Sequence, residues 1–286
     1  MISRPIIVVV GIFISLAMTV PVIAQQRPLV TQDPESVGEG LVLVEVGVDY
    51  LRDKHFPASG LRGNLIRAPK LGLSIGVSSI AEVQVGGISY SRLNIIGQEN
   101  ASLSSLLNIN GDMTSDMDDI IVGAKVRLFG EAGVRPAVGV RFVTRLPNAR
   151  SETGLGSDTM SFFNSLLIGK TISLSRIVGN IGFGILDDPL ISNRQDKVLI
   201  YGLSVASKIS QRAELVAEVN GRFNNKWTES TLGMSGESSA FINLGTRYTR
   251  GLIRVDGSVL FGLTPRDANI GLSAGLTLIF RGLNVP

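Results

Sequence analysis

Read two residues at a time, most of this chain separates into an apolar and a polar series. In "GLVLVEVGVDYL", Val42, Val44, Val46, Val48 and Tyr50 share one face, and Glu45, Gly47 and Asp49 share the other. Alternation of this kind marks a strand with one greasy and one wet side. "PKLGLSIGVSS" sets Leu71, Leu73 and Ile75 against Lys70, Gly72 and Ser74. "AEVQVGGISYSRLN" sets Val83 and Val85 against Glu82, Gln84 and Arg92, with a Gly-rich middle that fits a bulge. "DDIIVGAKVRLFG" and "VRPAVGVRFVTRL" place Lys125, Arg127, Arg141 and Arg145 on their polar faces. "DTMSFFNSLLIGKTIS" carries apolar residues in both phases. "RIVGNIGFGIL" and "VLIYGLSVASKIS" alternate again, with Gly and Ser opposite large apolar residues. "AELVAEVNGRF" opposes Glu214, Glu218 and Arg222 to Leu215, Val219 and Phe223. "AFINLGTRYTR", "LIRVDGSVLFGL" and "NIGLSAGLTLIF" complete the series, with Arg247, Arg254 and Asp256 on their polar side.

The connections alternate as well. After odd-numbered strands they are long: Arg52 to Ile66, Gly97 to Met117, Pro147 to Ser157, Asp187 to Asp196 and Asn224 to Ser238. After even-numbered strands a few residues suffice, around Ile80, Glu131, Leu174, Ser210 and Gly251; the eleventh, followed by "TPRDA", breaks the pattern. Long loops at one end and short turns at the other are the layout of outer-membrane barrels. The expected fold is all-β, an up-and-down antiparallel transmembrane β-barrel of about 12 strands, within a range of about 10 to 14.

Alternation alone does not say which face points inward. In a soluble barrel the apolar face is the core; in a membrane barrel it meets lipid. Two features favour the membrane. The polar face is mostly Gly and Ser punctuated by single charges, where a water-facing surface would carry many Lys and Glu. The apolar face is almost free of charge, and a charge facing lipid at mid-depth costs roughly 2–4 kcal/mol. Tyr50, Phe142, Tyr201, Phe223, Trp227, Tyr248 and Phe280 are candidates for aromatic girdles, although aromatics make up only 6% of the chain.

Composition sharpens this picture. Of 286 residues, 18% are charged, against about 25% in typical soluble domains. A net charge of +3 and no basic run give no case for nucleic acid. Cysteine is absent, which removes disulfides and thiol chemistry. "MISR", the apolar "PIIVVVGIFISLAM" and "VPVIA" read as a cleavable signal peptide over 1–24. A polar, extended periplasmic lead-in follows over 25–38, then the barrel over 39–280 and a tail over 281–286.

Several phrases carry a family likeness: "TQDPESVGEG", "RAPKLGLSIGVSSIAEVQV", "DDIIVGAKVRLFGE", "RLPNARSETGLGSDTMSF", "GNIGFGIL" and "FGLTPRDANIGLSAGLTLIF". In these the chain resembles the outer-membrane transporters grouped as the phenol-degradation MetA-pathway family. The resemblance implies an outer-membrane barrel with a transport role, often for hydrophobic or aromatic compounds, and carries no site residues.

Catalytic chemistry is poorly supported. His55, the sole histidine, lies in "RDKHFPASG" beside a Pro and reads as surface, whereas a Ser–His nucleophile needs a hydroxyl and an orienting acid. The acidic stretch Asp112 to Asp119 and the pair Asp187–Asp188 match no calcium-loop spacing and read as solvated loops. No cofactor or metal is expected. The best functional candidates are inward charges: Glu45, Asp49, Lys125, Arg127, Arg141, Arg145, Glu214, Glu218, Arg222, Arg247, Arg254 and Asp256. They would either form an electrostatic constriction or pair into a network that plugs the lumen. The expected partners are outer-membrane lipid and lipopolysaccharide, a small-molecule solute and the barrel-assembly machinery. The expected role is a bacterial outer-membrane channel; the alternative is a structural or surface-interaction barrel.

Overall fold

The backbone of an alternating strand needs a neighbour on each edge, and here every strand but the short fourth, which pairs on one edge, has a strand on both. The computed structural model describes residues 27–190, 195–224 and 238–283. The expected leader and Trp227 lie outside them. Thirteen strands follow in order: β1 (Leu41–Phe56), β2 (Leu61–Gly76), β3 (Ala81–Gln98), β4 (Met113–Met117), β5 (Ile121–Phe129), β6 (Ala137–Arg145), β7 (Ser161–Ile172), β8 (Ser175–Asp187), β9 (Gln195–Lys208), β10 (Ala213–Phe223), β11 (Ser239–Arg250), β12 (Ile253–Gly262) and β13 (Ile270–Arg281). Each pairs antiparallel with its neighbours, and β1 pairs with β13 from Leu41↔Arg281 to Arg52↔Ile270, which closes the sheet. Strands β4 and β5 occupy one place in the wall. Both pair with β3 in a single register, Gly86↔Ile121 and Tyr90↔Met117. The barrel therefore has the expected twelve wall positions.

Burial decides which face is wet. On the inside, Lys125, Glu82, Asn243 and Thr277 are 0–1% exposed, while Phe142 and Leu272 on the outside are 54% and 52% exposed. Phe183, Leu203, Leu215 and Val255 face outward in the same way. A protein in water would bury those side chains, each worth about 1.5–3 kcal/mol when fully removed from solvent. A continuous apolar exterior around a polar interior is the arrangement a hydrocarbon layer selects.

Two bulges redirect the wall. At Gly87 the backbone has φ +71°, and a Cβ there would lie 2.2 Å from the Asp119 carbonyl oxygen. Below this point Glu82 and Gln84 face inward; above it Ser89, Ser91 and Leu93 do. Arg92, assigned by alternation to the polar inner series, consequently points out and is exposed. In β2 the register slips between Arg67 and Lys70. These shifts turn Leu61, Leu65 and Leu93 inward at the long-loop end, where they form an apolar cluster with Leu51 and Ala268.

That cluster also corrects the first loop. The stretch expected to be a long connection, Arg52 to Ile66, is mostly strand, and only residues 57–60 form the turn. The pairing resumes beyond a bulge at Asp53, with Phe56 opposite Leu61. The bulge breaks the period, and its charged residues made the segment look like loop. Leu107, Ile109 and Leu155, from the connections after β3 and β6, pack onto the cluster as a cap. Backbone and side-chain bonds fix the cap: Leu103 N–H donates to Ala58, Asn108 N–H to Glu152, and the Ser59 hydroxyl to Gly154.

The inside-out reading predicts that Leu203→Arg, on the outer face of β9, destabilises the barrel by about 2–4 kcal/mol in lipid vesicles. Chemical denaturation with a folded-mobility gel readout measures this. A loss below about 0.5 kcal/mol, as at a water-facing position, would overturn it.

Candidate functional site

The inner wall is built for a second layer. Residues 27–40 are extended and run inside the barrel near its short-turn end, touching the wall strands in sequence. Gly40 N–H donates to Gly76 on β2, and Val37 N–H donates to Glu82 on β3 at 2.7 Å. Glu35 pairs with Arg127 on β5. Pro34 sits over Gly139 on β6 and Gly169 on β7. Asp33 takes a two-pronged bond from Arg176 on β8, both at 2.8 Å. Asn180, also on β8, exchanges bonds with the Gln32 backbone, accepting at 2.6 Å and donating at 2.8 Å. Thr31 lies over Gly202 on β9, and Glu218 on β10 accepts from the N–H groups of Val30 and Thr31 and from the Thr31 hydroxyl. Asn243 on β11 donates to the Pro28 carbonyl at 2.8 Å. Arg27 closes the circuit with Asp256 on β12 at 3.4 Å, the Ala274 carbonyl on β13 at 2.9 Å and Glu45 on β1, which accepts the Arg27 N–H at 3.1 Å.

We call this segment the strap. Eleven extended residues reach roughly 33–40 Å, so a ring of that length is only about 11–13 Å across between backbones. The Gln32 side chain narrows it further by accepting from Gln84 on β3 at 3.3 Å, and Arg141 donates to Gln84 at 2.7 Å.

Wall glycines are the seats. A Cβ at Gly47 or Gly275 would lie 2.4 or 2.2 Å from the Arg27 guanidinium, and one at Gly202 2.7 Å from the Thr31 hydroxyl. The strap is itself short of backbone partners, having left regular structure, and buried N–H groups must be satisfied. The wall supplies acceptors where they are needed, which explains Glu45, Glu82 and Glu218.

Placed in this frame, the sequence-predicted residues fall into three groups. Glu45, Arg127, Glu218 and Asp256 hold the strap. Lys125 pairs with Glu82 at 3.1 Å with both side chains fully buried, Asp49 with Lys70 at 2.7 Å, and Glu214 with Arg247 at 3.5 Å and Arg254 at 3.9 Å. Arg145 and Arg222 stand on the inner face at the long-loop end, Arg145 against Asp119 at 3.6 Å and the Ser161 hydroxyl at 2.9 Å. Around Arg27, Asn243, Ser258 and Thr277 each present a buried oxygen with no hydrogen-bond partner among the described residues, and Asp256 has the 3.4 Å ion pair with Arg27. Buried polar atoms of this kind are ordinarily satisfied by ordered water.

Sequence reasoning missed Arg27, Thr31, Gln32, Asp33 and Glu35 on the strap, and Glu82, Gln84, Arg176, Asn180 and Asn243 opposite them. The signal was available in part. A polar segment stiffened by Pro28 and Pro34 precedes a wall whose inner face is unusually rich in Gly. The acidic stretch is also not a solvated loop. Buried Asp116 accepts from Arg150 N–H and the Thr153 hydroxyl, Asp118 from the Ser91 hydroxyl, and Asp119 from the N–H groups of Asn148 and Ala149. Asp116 and Asp119 staple the interrupted β4–β5 wall to the connection after β6, and Asp118 ties it to β3. Among the described residues no group of acidic or His side chains could hold a metal. His55 lies 4.0 Å from Asp53, outside the lumen.

At the short-turn end Glu131 gathers four donors. Thr171 gives its N–H and hydroxyl at 2.9 and 3.0 Å, Lys170 its ammonium at 2.9 Å and Arg176 its guanidinium at 2.6 Å. Desolvation pushes the Glu131 carboxyl up, but these partners outweigh it and hold the pKa at about 2. Arg176 thus links Glu131 to the strap's Asp33.

Neither a protein-family model nor a curated protein sequence matches the chain. Its fold matches solved barrels. A COG4313 outer-membrane channel from Pseudomonas putida F1 aligns with TM-score 0.63 and 11% identity, over 87% of this chain and 98% of that one. The translocator domain of the autotransporter NalP from Neisseria meningitidis aligns at 0.48 and 13%, over 85% and 89%. The first likeness shows a shared outer-membrane-barrel fold.

The native chain has no cysteine, so a single Thr31→Cys variant reports on the strap. It should react slowly with a water-soluble thiol reagent. Adding Glu218→Ala leaves the Val30 and Thr31 N–H groups unpaired, at about 1–3 kcal/mol, and should speed labelling by about ten- to a hundredfold. Unchanged labelling would show that Glu218 does not hold the strap.

Proposed function

We propose that this protein is a passive channel of the bacterial outer membrane for small solutes, with a lumen narrowed by its own N-terminal strap. The observation that carries this reading is the polar, glycine-seated inner wall lined by a ring of residues 27–37 within an apolar-coated barrel. A barrel needed only as a membrane anchor could fill its lumen with interlocked wall side chains. This one keeps small residues on the wall beneath the strap and narrows the space with a segment held by side-chain bonds. Long loops at one end and short turns at the other support an orientation with the strap at the periplasmic end. The resemblance of the sequence to the phenol-degradation MetA-pathway transporters supports hydrophobic or aromatic compounds among the solutes, and the apolar cluster at the long-loop mouth is compatible with them.

A structural barrel is the second reading, favoured by the Gln32–Gln84–Arg141 chain across the middle of the lumen. Planar-bilayer recording separates the two. The full chain should give small unitary currents, and a variant lacking residues 27–36 should give currents several-fold larger. Silence from both, with no solute uptake into liposomes, would leave only the structural reading.

The Glu131 anchor adds a pH dependence. Its carboxyl lies below the ordinary value of 4.5. The stabilisation is therefore complete above about pH 4.5 and is lost as pH falls toward 2. Open probability of the full chain should rise across that window, and Glu131→Gln should show the raised value already at neutral pH. A flat profile in the full chain would show that the strap does not depend on this carboxylate.

A further inference from the structure

Where β1, β2 and β3 rise toward the long-loop end, their outer faces carry several exposed charges. These strands have 16, 16 and 18 residues, whereas a tilted strand crosses the hydrocarbon layer in about 9–11. Their surplus stands above the apolar band. Tyr50 and Ile66 face each other across β1 and β2, and Ile66 faces Arg92 on β3, so these three share one outward row. Tyr90 lies just below that row, its hydroxyl bonded to Ser115 on β4. Arg52 stands one outward position above Tyr50, Asn94 one above Arg92, and Arg62 higher still, opposite His55. Arg52, Arg62, Arg92 and Asn94 are all exposed.

The three arginines are not equivalent. Arg62 is committed to Asp53, with bonds of 2.5 and 2.7 Å, and such an exposed pair is largely neutralised. Arg92 Nε lies against the Met113 sulfur on β4. Neither Arg92 nor Arg52 has a carboxylate within 4.0 Å among the described residues. Two strands separate them, about 10 Å, with a stagger of about 7 Å along the strands, within the joint reach of two arginine side chains. A planar guanidinium recognises phosphate by paired charge-assisted hydrogen bonds.

We propose that the outward face of β1–β3 is a docking surface for the phosphorylated glucosamine headgroup of lipid A in lipopolysaccharide. Arg52 and Arg92 take the phosphate, Asn64 and Asn94 lie beside it for sugar hydroxyls, and Tyr50, Ile66 and Tyr90 lie beneath it against the acyl chains. This rests on the outer-membrane reading above, because lipid A meets the barrel only at its outer-leaflet rim. Tyrosines at the lipid–water boundary with cations just outside them are the ordinary order of an interface.

Native mass spectrometry of the detergent-solubilised full chain tests the site with lipid A, lipid A stripped of phosphate and phosphatidylglycerol as probes. The full chain should retain lipid A at least ten times more tightly than the other two. The double variant Arg52→Ser/Arg92→Ser should lose that preference, Arg52→Lys/Arg92→Lys should recover part of it, and Arg250→Ser, exposed at the opposite end, should leave it unchanged. Equal retention by the serine variant, or equal binding of phosphatidylglycerol, overturns the proposal. Bilayer currents recorded on the same variants keep the two readings apart. Lipid A binding without currents would count against the channel alone, and normal currents without lipid A preference would count against the docking surface alone.

Discussion

Backbone hydrogen bonding is the constraint from which the rest follows. A chain coated with Phe142, Phe183, Leu203 and Leu272 on its outside has no water there to satisfy its peptide groups. Every N–H and C=O at that depth must find a partner within the sheet. An open sheet leaves two edges unpaired, so the β1–β13 ladder is the step that makes the remaining strands viable. Closure then forces the polar series inward. Glu45, Lys125, Glu218 and Asp256 have no other place to go, and once inside they need partners, because an uncompensated ion costs several kcal/mol.

The strap answers part of that need and creates its own. Its backbone donors at Arg27, Val30, Thr31, Gln32 and Val37 are met by wall side chains, not by another strand. Each such bond satisfies a wall carboxylate or amide and a strap peptide together. The glycines at 47, 139, 169, 202, 245 and 275 remove the side chains that would occupy the same space. A wall without the strap would keep several acceptors but lose their donors, and a strap without these glycines would not fit. The two parts of the sequence therefore specify one object, although more than two hundred residues separate Arg27 from Gly275.

That separation explains what was legible in the sequence. Period-two alternation exposed the strands and, with loop lengths, the barrel and its twelve wall positions, because a strand's face is a local property. Glu214 and Arg247 could be assigned to the inner face for the same reason. The strap could not be read from alternation, since its partners lie on all sides of the barrel and its own residues follow no regular period. Arg92 was misplaced because one bulge at Gly87 reverses every face above it. Asp116, Asp118 and Asp119 looked like solvent-facing loop because their role, holding an interrupted strand to the next connection and to β3, appears only when these are side by side.

The two ends of the lumen differ in chemistry, and in the channel proposed above this bears on what would cross. At the long-loop end the inner face of β1–β3 is Leu51, Leu61, Leu65 and Leu93 beneath a capped cluster. At the short-turn end it is the strap with Arg27, Asp33 and Glu35 and their ion pairs. A strongly hydrated ion would gain nothing from the first region. A wholly apolar solute would have to displace well-made charge-assisted bonds, roughly twice as strong as neutral ones, in the second. Solutes with an apolar body and a few hydrogen-bonding groups have favourable contacts in both. In the channel proposed above they would replace strap-to-wall bonds at Asn180 or Asn243 one at a time, so that the strap need not detach as a whole. The strap's many separate anchors make such stepwise exchange less costly than breaking a single tight plug, because no step leaves more than one or two buried polar groups unpaired.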